Sequence, residues 1–79
     1  MGMSTMLLAK SPLGSKFKIT GFQRGLARAH LLTMGLTKGT CIEVVGRAPM
    51  GGDPVVLRVR DIRLSVRHAD AAVLKLQQV

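Results

Sequence analysis

The chain has no tryptophan or tyrosine, and its only aromatic residues are Phe17 and Phe22. A platform on which successive nucleic-acid bases stack is therefore poorly supplied. A single cysteine, Cys41, cannot close an intrachain disulfide, and a lone thiol suits a reducing compartment, which points to the cytoplasm. The longest unbroken apolar run near the start, Met6–Ala9, is four residues. A membrane span needs roughly 20 and a signal-peptide core roughly 7–15, so direct membrane insertion is not expected. Acids are scarce as well: Glu43, Asp53, Asp61 and Asp70 are scattered over strand, loop and turn. With no paired carboxylates, no nucleophile beside an evident base and no Walker-type phosphate loop, an enzyme is not expected. Cys41, His30, His68 and the five methionines show no Cys-x-x-Cys or His-x-x-x-His spacing, so no metal or other cofactor is expected, and Met34 reads as core filler.

What remains is a short, basic and fairly apolar chain. Its 79 residues are 47% apolar, enough for one small core, and a single domain over residues 1–79 is expected. Twelve Lys and Arg against four Asp and Glu give a formal charge of +8. That balance predisposes the surface toward an anionic partner, whether nucleic acid, phospholipid or an acidic protein face.

Hydrophobic spacing divides the chain into short elements. Residues 1–6 are expected to be flexible, within a loose start running to Leu13 in which Met6-Leu7-Leu8 could add a short edge strand. From Lys16 the sequence alternates, setting Phe17 and Ile19 against Lys16, Lys18 and Thr20, until Gly21 bends or ends the strand. Between Gln23 and Met34 the period changes. Ala27, Leu31 and Met34 line one helix face, and Gly35 then offers a left-handed stop onto which Leu36 folds back. Leu26 and Leu32 lie well off that face and are expected to be partly exposed. Cys41–Val45 is a β-branched strand with Ile42 and Val44 inward, followed by a Pro- and Gly-rich loop over residues 48–54.

The most determinate pattern is Val55–Arg67. Two strands joined by a tight Arg60-Asp61 loop pair Val59 with Ile62, Leu57 with Leu64 and Val55 with Val66, each toward the core. The same register sets Arg58 opposite Arg63 on the outer face. Like charges so placed cost a few tenths of a kcal/mol unless an anion lies between them; a solvated basic face is the plainer reading. His68–Ala72 reads as a short helical turn, and Leu74 and Leu76 mark a last strand. One helix among four or five short strands fits a small curled barrel better than a sandwich.

Three stretches in order resemble a known family. They are Leu-Ala-Arg-Ala-His-Leu-Leu-Thr-Met-Gly-Leu-Thr-Lys-Gly at residues 26–39, Ile-Glu-Val-Val-Gly-Arg-Ala-Pro-Met-Gly-Gly-Asp-Pro at 42–54, and Val-Arg-Asp-Ile-Arg-Leu-Ser-Val-Arg at 59–67. Together they resemble the ferrous iron transport protein A (FeoA) family. Asp61 stands where that family often has glycine, and Gly51-Gly52 adds a residue to its usual loop. The resemblance implies a mainly β fold, an SH3-like small β-barrel with one inserted α-helix and a short C-terminal helical turn. It further implies a cytoplasmic accessory protein of bacterial ferrous iron uptake, acting on the cytosolic portion of the G-domain-bearing permease, the ferrous iron transport protein B. Leu26, Leu32 and Met50 are the expected apolar anchors for that partner, with Arg24, Arg28 and Arg47 as a basic rim. The competing expectation is a basic small barrel that binds nucleic acid. It is disfavoured by the missing aromatics and by the lack of a recognition helix or RNA-binding signature.

Overall fold

The computed structural model describes residues 3–49 and 51–79. In chain order it places α1 (Met3–Lys10), β1 (Lys16–Phe22), α2 (Ala27–Thr33), β2 (Cys41–Arg47), β3 (Val55–Val59), β4 (Ile62–Val66), α3 (His68–Ala71) and β5 (Leu74–Gln78). The five strands form one antiparallel sheet in the order β4-β3-β2-β1-β5. Its inner face carries Phe17, Ile19, Ile42, Val44, Val55, Leu57 and Val66, all essentially inaccessible to solvent. Leu8 from α1, Leu31 from α2, Leu36 and Ala71 from α3 complete the same core.

The β3–β4 hairpin has the register that alternation dictates: Val55 opposite Val66, Leu57 opposite Leu64 and Val59 opposite Ile62. Its left-handed residue is Arg60, at φ 57°, rather than Asp61. Ile62 departs from the expected inward packing, being 60% exposed. β4 is an edge strand, and burial deepens along it toward Val66, where α3 follows and the helices pack. Gly21 does not end β1. The register with β5 shifts between Ile19 and Gly21, and the strand continues to Phe22, a bulge that bends it without breaking it.

α2 stops as its glycine predicts. Gly35 sits at φ 91°, its N–H donates to Leu32 at 3.0 Å, and the Leu36 N–H donates to Leu31 at 3.0 Å. This paired closure satisfies two orphan carbonyls and drives Leu36 into the core. The helix begins later than Gln23, however. The Gln23 N–H donates to Val73 at 2.7 Å, and a Cβ on Gly25 would overlap Val73 Cγ1, so residues 23–25 are an irregular lead-in pressed against the segment before β5, and Leu26 caps the helix with dihedrals that are already helical.

The start of the chain is the main correction. Residues 3–6 of the segment expected to be flexible, and the expected edge strand at 6–8, are instead part of the helix Met3–Lys10, with Leu8 fully buried; residues 1 and 2 lie outside the described residues. The Ser4 hydroxyl donates to the Ala71 carbonyl at 3.0 Å and the Thr5 hydroxyl to the His68 carbonyl at 3.1 Å, so buried side-chain hydroxyls tie α1 to α3. Arg47 completes the attachment, its Nε donating to the Leu8 carbonyl at 3.0 Å and its Nη2 to the carbonyls of both Leu8 and Ser11.

Candidate functional site

The α2 face turned away from the core is built by three constraints. Leu31 is fully buried and fixes which side faces inward. The Gly35 closure fixes the far end, and the Gly25–Val73 approach fixes the near end. At about 100° per residue, Leu26 and Leu32 then flank a ridge centred on Ala29, roughly opposite Leu31. Leu26 is fully exposed at 102% of its reference area, and Leu32 is 38% exposed. Thr33 shares the ridge, its hydroxyl donating to the Ala29 carbonyl at 2.9 Å. Spacing of i, i+3, i+6 and i+7 from Leu26 contained this ridge, but Ala29 was too small to stand out.

Arg24 and Arg28 are exposed beside it. The Arg28 guanidinium lies 5.8 Å from the centroid of the Phe22 ring, a cation–π contact that orients the cation against a half-buried aromatic. Arg47 falls elsewhere: two of its three guanidinium nitrogens are engaged by carbonyls at the end of α1, so it serves the fold rather than a free basic rim. Met50 lies outside the described residues.

Two further surface features lie away from α2. Arg58 and Arg63 do stand directly opposite each other across β3 and β4, both exposed. A groove of about 440 Å³ runs along α1, lined by Met6, Leu7, Lys10 and Ser11. Among the described residues no three His, Cys, Asp or Glu side chains are grouped to hold a metal ion. Cys41 is exposed and free, and among the described residues no helix is long and apolar enough to cross a membrane.

Known proteins match this arrangement over most of its length. The FeoA domain family model covers residues 6–77. A Porphyromonas gingivalis protein, the Fe(2+) transport protein A/Fe(2+) transporter FeoB fusion protein, is 39% identical over 56 residues. That match takes in 71% of this chain and 6% of the fusion protein, so the chain spans only a small part of that relative. The solution structure of a FeoA-like protein from Clostridium acetobutylicum superposes with a TM-score of 0.80 at 34% identity, covering 91% of this chain and 84% of that one. The zinc-complexed FeoA of Stenotrophomonas maltophilia, described as a prokaryotic SH3 domain protein, superposes with a TM-score of 0.72 at 23% identity over 89% and 87% of the two chains. At that identity the likeness speaks for the fold, and it makes the curled five-stranded sheet SH3-like. With the family model matched from the middle of α1 to the last strand, the chain belongs to the FeoA domain family, whose members take part in ferrous iron transport.

Proposed function

We propose that this chain docks on the cytosolic portion of a ferrous iron permease and biases that permease among its conformations, without itself carrying iron or performing chemistry. The observation that carries the reading is the Porphyromonas gingivalis relative, in which transport protein A and the transporter FeoB are one polypeptide. Fusion holds two modules at high effective concentration, a gain where they work in contact. The α2 ridge supplies the grip: Leu26 is a whole leucine side chain in water on a helix fixed at both ends. Burying it against a partner contributes about 1.5–3 kcal/mol. Leu32 extends the apolar contact, and Arg24 and Arg28 speed encounter with an acidic face.

A docking module shifts a partner's equilibrium only by binding one conformation more tightly than another. An effect on the permease therefore requires that its surface opposite α2 differ between states. No feature of the chain selects an arginine for donation to a nucleotide site, and plain docking needs none.

The test is capture of the full-length permease in detergent by the immobilised chain. Wild-type protein retains the permease, and Leu26→Gln releases it while keeping its own melting temperature. Equal retention by both proteins removes the α2 ridge from the account, and no retention by the wild type removes docking.

A further inference from the structure

We propose that the outer face of β1–β4 is an electrostatic seat for an anionic lipid bilayer. The register builds it. Arg63 pairs with Arg58, Arg58 with Glu43, and Glu43 with Lys16, forming one row across four strands on the side away from the core. A second row begins with Lys18 opposite Cys41. Arg60 continues it: Cys41 and Arg60 together line two adjoining concavities of about 210 and 480 Å³, the first shared with Lys16, Glu43 and Arg58, the second with Lys38. Six of the twelve Lys and Arg residues thus stand on this face against the carboxylate of Glu43, with Asp61 beside Arg60 in the β3–β4 turn at its edge.

The composition and shape of the face choose its occupant. Arg58 and Arg63 are directly opposed, an arrangement that repels unless negative charge is brought between them. The cations are spread over four strands spaced about 4.8 Å apart, so a single phosphate or carboxylate reaches only a few of them. An extended acidic peptide or a polynucleotide backbone follows one line of charge, whereas a bilayer presents phosphates in two dimensions and answers both rows together. The face also carries no aromatic side chain on which a base could stack. Lys and Arg on long flexible stems suit such a surface, because each head group can settle among phosphates without a fixed geometry.

This inference does not rest on the permease reading and is tested without the permease. The chain is titrated with vesicles of phosphatidylglycerol mixed with phosphatidylcholine, with vesicles of phosphatidylcholine alone, and with polyglutamate. Wild-type protein binds the anionic vesicles at low salt, binds them less as salt rises, and ignores the neutral ones. Each cation near an anionic bilayer contributes about fivefold in partitioning, so Arg58→Gln with Arg63→Gln weakens binding about 25-fold. Lys10→Glu changes the charge by the same two units on α1, which packs Leu8 into the core on the other side of the sheet, and its loss is much smaller. The Arg58→Gln/Arg63→Gln protein keeps or raises its melting temperature, since repulsion is relieved, which separates lost binding from lost folding. Equal weakening by Arg58→Gln/Arg63→Gln and by Lys10→Glu, absence of binding to anionic vesicles at low salt, or face-dependent binding to polyglutamate alone overturns the proposal.

Discussion

Arg47 shows how one side chain can fasten a terminal element to the sheet. It reaches from β2 to the carbonyls of Leu8 and Ser11 at the end of α1, where backbone acceptors have no partner within their own helix. Arg47→Ala leaves those half-buried carbonyls unpaired and is expected to destabilise the protein by about 1–3 kcal/mol in urea titration. Arg47→Lys recovers only part of that, because an ammonium lacks the planar fork that serves two carbonyls. From sequence, Arg47 was one more cation in a basic chain. Its role depends on a helix that the residues did not announce, so it was assigned to the partner surface instead. Gly35 is the contrasting case. Its position after Met34 and before Leu36 signalled the left-handed closure directly, and Gly35→Ala at φ 91° should cost about 1–2 kcal/mol in the same measurement.

At the scale of elements, legibility followed local periodicity. The β3–β4 hairpin was readable to the residue because strict alternation admits one register, and shifting it by one would turn every aliphatic side chain outward. α1 was not readable: residues 3–10 offer no clear apolar stripe, and Ser4 and Thr5 look like loop residues until Ala71 and His68 arrive from far along the chain to accept their hydroxyls. Leu8→Ala tests how much that helix matters. It opens a void beneath α1 and is expected to cost about 2–5 kcal/mol by chemical denaturation, whereas a loose terminus would register almost nothing. The near end of α2 lies about a turn later than its spacing implies, because long-range packing of Gly25 on Val73 overrides helical spacing there. Gly25→Ala should lower stability by about 1–3 kcal/mol through that overlap. By displacing the lead-in to Leu26, it should weaken permease capture beyond what lost folding explains.

Across the whole molecule, the sequence separates two surfaces that the fold keeps distinct. The exposed side of α2 is apolar with a few cations, while the outer side of β1–β4 is densely basic; the shared core of Leu57, Val44 and Phe17 holds both in place. The family was readable because three motifs occur in order, and the candidate site was readable in Leu26 and Leu32 because each falls outside the helix's buried stripe. Leu13 is also exposed, at 60%, but lies outside α2, so the proposed docking through α2 distinguishes the two leucines. That difference gives the most direct measurement: calorimetric titration of the full-length permease in nanodiscs with wild-type chain, Leu26→Gln and Leu13→Gln. Docking through α2 predicts saturable binding that Leu26→Gln weakens by about tenfold or more and Leu13→Gln leaves intact, with all three proteins equally folded. Absence of binding by the wild type, or equal affinity for all three, would contradict it.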